Sequence, residues 1–247
     1  SVKSCPLPPT PDPLLVGSGS LPPTPRSPPP ASCSLPSGLF TGFGGLALFH
    51  LALASFFHDR KALERATSLA SRLGARQPES AELLGGAAGA GLLQLAVHRA
   101  TGDDVFLEGA RRAFAYLADT ALHHRRVVAW EPGIPDKSLQ PGLAHGVAGP
   151  CLFLAELAAQ TRDRRACRLR DAAFRWLDAC AVPTFGDGLT WPKDITTRAH
   201  RHHWCHGSVG VGQAYLALHR RSGDARSRHV AEAAARAAWH HHRRRSA

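Results

Sequence analysis

The sequence contains no methionine and two tyrosines, and aromatic residues fill only 7% of its 247 positions. Its hydrophobic content of 44% is mostly Ala and Leu, so extended sheets are disfavoured and close-packed helices are expected. None of its six cysteines (Cys5, Cys33, Cys151, Cys167, Cys180 and Cys205) forms a CxxC pair, and no secretory signal precedes them. That argues against a disulfide framework and fits a reducing, cytoplasmic setting. The longest apolar runs are broken by glycine and too short to span a bilayer, so no membrane span is expected. Acidic residues are scarce, 19 against 30 Lys and Arg, for a net charge of +11 with His neutral. A basic surface suits a nucleic acid, an anionic lipid or an acidic peptide. Here much of the charge is scattered along outer helix faces and no RNA- or DNA-binding signature accompanies it, so no nucleic acid partner is expected. The lack of Met fits either an initiator removed before Ser1 or a chain that begins inside a longer protein.

Two regions differ sharply in composition. Residues 1–37, with PLPPTPDP and LPPTPRSPPP, lack any periodicity that builds a core and read as a disordered Pro/Ser-rich linker or tail. Residues 38–247 repeat themselves. Four glycine-rich turns, TGFGG, GGAAG, HGVAG and HGSVG, each open an apolar helix that runs to an aspartate. Gly45 to Asp59, Gly89 to Asp103, Gly149 to Asp163 and Gly210 to Asp224 are all 14 residues apart. Each Asp sits where it caps a second, amphipathic helix by accepting a hydrogen bond from an orphan backbone N–H. TGD and SGD also put Gly where the first helix must end. The units are therefore αα-hairpins with an apolar inner helix and a charged outer one. Such hairpins bury their inner helices only by stacking side by side, so the expected fold is all-α, a partial α/α toroid of four countable hairpins.

Glycine at the turns lets converging inner helices approach closely, and the helix dipoles place partial positive charge there. Loops before the inner helices should line one end of the ring, and Glu82, His145, Arg201, Cys205 and His206 fall in them. The stretch RHHWCHGSVGVG admits a metal site, a reactive thiol or simple packing at a helix start. His145 either shuttles a proton or closes its turn on the backbone, Arg201 is a stabilising or a merely solvated cation, and Glu82 an ordinary helix-start carboxylate or a functional one. Two long inserts, 123–142 and 181–199, are expected to form the rim of the pocket. A toroid glycosidase would need paired carboxylates at the ring mouth, for which Glu82, with the remote Glu131 and Asp194, provides poor material.

The combination of GLFTGFGGLALFHL, ELLGGAAGAGLLQL, GLAHGVAGPCLFLAEL and WCHGSVGVGQAYLAL resembles the LanC-like lanthionine synthetase family over roughly residues 38–245. The resemblance implies zinc-dependent cyclisation of a ribosomal precursor peptide: a cysteine thiol adds to dehydroalanine or dehydrobutyrine to form a thioether. It assigns Cys205 as a zinc ligand, His145 as the acid/base residue and Arg201 as a stabiliser of the enolate or carboxylate. Glu82 stands where the family usually shows Asp. His206 completes a Cys–His pair chemically, although the register places it as a ring-lining residue after the ligand. The family's zinc also takes a Cys–His pair from the next glycine turn, which would begin where this sequence stops at Ala247. A catalytic zinc needs three protein ligands, so surrogates would have to come from His202, His203 or His240 to His242. The expectation is either a fragment of a longer synthetase, with other domains as neighbours, or a degenerate member. The latter would be a non-catalytic α/α scaffold binding a peptide or protein partner. The +11 charge suits an acidic leader on the precursor peptide.

Overall fold

The computed structural model describes residues 38–40, 42–133, 138–197 and 200–245; the expected tail at 1–37 lies outside them. The described residues form one compact unit. Four helical hairpins appear in chain order: α1 (Phe43–Phe57) with α2 (Arg60–Gly74), α3 (Ala87–Thr101) with α4 (Asp104–Asp119), α5 (Ala148–Thr161) with α6 (Arg164–Cys180), and α7 (Ser208–Ser222) with α8 (Ala225–Arg245). The inner helices α1, α3, α5 and α7 follow one another around an arc, and the outer helices back them, giving the α/α toroid architecture.

The repeated aspartates do what their spacing predicts. Asp59 accepts from the Lys61 and Ala62 amides at 2.8 and 3.1 Å, Asp103 from Val105 at 3.0 Å and Asp163 from Arg165 at 2.6 Å. Asp224 takes the Ser227 amide at 2.9 Å and the Ser227 hydroxyl at 2.5 Å. Each inner helix ends on a left-handed residue just before its Asp: Gly102 (φ 71°) and Gly223 (φ 73°), as the TGD and SGD signals require, but His58 (φ 53°) and Arg162 (φ 55°) in the other two hairpins.

Packing between neighbouring hairpins repeats as well. Leu39, Leu83 and Leu143 each lay their Cβ over the bare Cα of the last glycine in the next turn, Gly89, Gly149 and Gly210, where a methyl group would crowd them at 3.1, 3.0 and 2.6 Å. Backbone hydrogen bonds tie the same turns together, from Leu39 N to Leu84 O (2.7 Å), Leu83 N to Ala144 O (3.1 Å) and Ala144 N to Cys205 O (3.3 Å). Trp204 holds the corresponding place in the fourth turn and comes round to meet Phe40 of the first, with ring centroids 5.0 Å apart. All four turns therefore converge. At the other end of the inner helices, Glu156 of α5 receives Arg99 of α3 at 3.0 Å and Arg221 of α7 at 2.8 Å.

The inserts contain the departures from an all-helical chain. Residues 122–129 form an antiparallel hairpin, β1 (Leu122–His124) with β2 (Val127–Ala129); the second insert forms β3 (Val182–Thr184) and β4 (Gly188–Pro192), and β5 (His200–Arg201) follows directly after it. The two inserts are anchored alike: the indole N–H of Trp130 donates to the Leu117 carbonyl at the end of α4, and that of Trp191 to the Leu177 carbonyl near the end of α6, both at 2.8 Å. No described helix is long and apolar enough to cross a membrane.

Candidate functional site

The site forms where the second, third and fourth turns meet. His145 Nδ1 lies 2.6 Å from Glu82 Oε2, across 63 residues of chain. A carboxylate accepts, so Nδ1 carries the hydrogen and Nε2 is left without a hydrogen bond among the described residues. The ring is thus oriented by a side chain of the adjacent hairpin and does not merely close its own turn. The first insert lies beside Glu82: a Cβ on Gly133 would sit 3.1 Å from the Glu82 carboxyl carbon and closer still to Ser80.

Cys205 and His206 reach the same place through a tight loop. His202 bridges Gly207, and the His203 amide donates to the His206 carbonyl at 3.0 Å. Gly207 adopts φ 88°, and a side chain at this position would overlap the Arg201 carbonyl oxygen; glycine is needed to turn the chain from β5 into α7. The His206 ring lies 6.4 Å from the His145 ring, centroid to centroid. Its Nδ1 is buried without a hydrogen-bond partner among the described residues and faces the bare Cα of Gly142. Burial, reinforced by His145, Lys193, Arg201 and His203, holds the His206 imidazole below the usual histidine range. Arg201 is exposed on β5, in register with Trp191, so the Trp191 anchor sets its place.

Five expected residues, Glu82, His145, Arg201, Cys205 and His206, therefore gather at one mouth. Lys193 was not among them. Its only sequence signal is a cation in the insert that supplies β4, two residues after the anchoring Trp191. Of the remaining histidines, His202 donates or accepts at Ser208 Oγ (3.0 Å) and stacks on His241 at 4.4 Å, so it is committed to structure.

The described residues do not fit a zinc ion held by three protein ligands. Cys205 is the one thiol in the constellation, His145 Nδ1 is taken by Glu82, and no group of three His, Cys, Asp or Glu among the described residues is arranged to hold a metal. Among the described residues no two carboxylates are paired at this mouth. Asp194 is buried with four hydrogen bonds from the amides and hydroxyls of Thr196 and Thr197, while Glu131 is exposed at the rim.

Comparison with known proteins agrees with this architecture. The family model for "Lanthionine synthetase C-like protein" matches residues 34–246. Among solved structures, nisin cyclase superposes with a TM-score of 0.61 at 17% identity, covering 81% of this chain and 57% of that one. The Lin0763 protein from Listeria innocua gives a TM-score of 0.59 at 15% identity, covering 78% of this chain and 56% of that one. A family 76 glycoside hydrolase from a bovine Bacteroides thetaiotaomicron strain gives a TM-score of 0.55 at 17% identity, over 80% and 47%. This chain thus spans about half the length of these structures. No curated protein matches it in sequence.

Proposed function

Because the chain belongs to the lanthionine synthetase C-like family, we propose that its turn-lined mouth takes a peptide and promotes addition of a cysteine thiol to a dehydroamino acid. The observation that supports this is the Glu82–His145 pair, 2.6 Å long and set against Cys205 and His206 in the neighbouring turn. In the reaction the thiol gives up its proton, sulfur bonds to the β-carbon, and the electrons of the double bond move onto the α-carbon as an enolate. That carbon must then receive a proton. In this reading His145 Nε2, bare while Glu82 holds the Nδ1 hydrogen, first accepts the thiol proton and then donates it to the α-carbon. One S–H and one C=C become one S–C and one C–H, so nothing beyond the peptide is consumed. Arg201 and Lys193 supply positive charge at the same mouth, where the enolate oxygen develops negative charge.

The test is loss of an alkylatable thiol, followed by mass spectrometry, in a peptide carrying one cysteine and one dehydroalanine. The expected result is loss faster than without protein, slowed about a hundredfold to ten-thousandfold in His145→Ala and by a smaller factor in Glu82→Gln. A wild-type rate equal to the buffer rate overturns the proposal. A second reading, a peptide-binding scaffold without catalysis, is favoured by the lone thiol donor at Cys205. The thiol-loss assay separates the two: a wild-type rate above buffer that falls in His145→Ala favours the cyclase, and peptide binding with a rate equal to buffer favours the scaffold.

A further inference from the structure

Away from the mouth, an open groove of about 390 Å³ lies between α4, α6 and the β1–β2 hairpin. Its rim carries Arg125, Arg126, Arg165, Arg168 and Arg175, all exposed, and no Asp or Glu lines it. None of the five makes an ion pair among the described residues, and the Arg175 Nε–H donates only to the Arg126 carbonyl oxygen, at 2.9 Å. Several arginines elsewhere are matched with acids, as at Glu156 and Asp178. The floor is apolar, formed by Phe114, Val128 and Leu169.

Arg125 adds an independent sign. The two-residue loop between β1 and β2 puts it at φ 53°, a conformation that favours Gly or Asn and is uncommon for a long side chain. A strained backbone that persists where a charge is presented points to a use for that side chain.

We propose that this groove binds an acidic, partly apolar peptide segment, with carboxylates on the arginine rim and apolar side chains on the floor. Guanidinium groups match carboxylates with two parallel hydrogen bonds, and several converging charges act together where one exposed pair contributes little. The apolar floor favours a peptide over a nucleic acid, since Phe114 is buried and His123 is the exposed ring among the residues that line the groove. One wall of the groove is also joined to the mouth by a short stretch of chain. β2 continues through Trp130 to Gly133, which abuts Glu82. From Val128 to Gly133 the chain spans at most roughly 17 Å. A substrate held by an acidic segment in the groove therefore has its reactive part within reach of His145. The peptide's identity as the substrate rests on the proposed cyclase reading; the binding itself does not.

Fluorescence anisotropy of the whole chain tests it, using a short labelled peptide in which Glu alternates with Leu. The expected result is saturable binding that weakens with salt, is about tenfold weaker for the Gln–Leu analogue, and is about tenfold weaker for Arg165→Glu/Arg168→Glu. Arg125→Gly should weaken binding while raising the melting temperature, which separates a ligand role from a structural one and serves if the double variant fails to fold. Equal binding of the Gln–Leu peptide, unchanged affinity in the variants, or tighter binding of a single-stranded oligonucleotide at the same arginines would overturn the proposal. His145→Ala should bind the peptide as wild type does. Lost cyclisation with binding intact therefore removes the cyclase reading alone, and lost binding with cyclisation intact removes the groove alone.

Discussion

Glu82 and Asp194 are both carboxylates near the mouth, yet the structure allots them different work. Burial alone would raise the Asp194 carboxyl, but the hydrogen bonds from Thr196 and Thr197 outweigh it and hold the group below the usual range. Its oxygens are occupied, so it organises the loop after Lys193 and has nothing left to offer a substrate. Asp194→Ala should lower stability by about 1–3 kcal/mol, seen in thermal melts, because two amides and two hydroxyls lose their acceptor. Glu82, by contrast, has one strong partner, His145, and works through it. Thiols differ in the same way: burial pushes Cys180 up to about 11 and Cys151 well above its ordinary value. With roughly one part in a thousand ionised at pH 8, Cys180 should resist iodoacetamide, as should Cys151. Peptide mapping after labelling at that pH checks both. Arg162 at φ 55° ends α5 where Gly102 and Gly223 end α3 and α7. Arg162→Gly should therefore raise stability by about 0.5–1 kcal/mol, read from the denaturant midpoint.

At the scale of elements, periodicity carried most of the information. The constant 14-residue spacing from glycine to Asp makes all four hairpins, their caps and their inner or outer placement legible, because one physical constraint is written four times. The strands were not legible. β1, β2, β3 and β5 are two or three residues long, too short for alternation to register, and they exist because Trp130 and Trp191 fasten them to the helices before them. The pairing of Glu82 with His145 was equally silent, since it joins different repeats and only the packing of adjacent turns brings them together. Trp191→Phe should cost about 1–3 kcal/mol by leaving the buried Leu177 carbonyl without its donor. It should also displace Arg201, which Trp191 holds in register. A melt reports the first effect, and a reduced cyclisation rate beyond that expected from the unfolded fraction reports the second.

Over the whole molecule, charge sets the conditions under which the arc holds together. Thirty Lys and Arg stand against 19 Asp and Glu, and 15 histidines add further positive charge on acidification. One of these, His202, joins the β5 loop to the C-terminal helix by stacking on His241 and bonding Ser208. Burial, together with the neighbouring His241, His200 and His203, holds its imidazole below the usual histidine value of about 6.5. The sign follows from linkage: the unfolded chain takes up the proton first, so the stability tied to neutral His202 is present above about pH 6.5 and is lost as the pH falls through the lowered folded value. The melting temperature should hold near neutrality and fall on acidification. In His241→Gln the neighbouring positive charge is gone and the His202 value moves back up. That variant should melt lower at neutral pH, for want of the stack, yet lose less on acidification. A wild-type slope equal to the variant's would mean that general charge repulsion, which added salt relieves, governs the acid response and that the His202–His241 contact takes no part in it.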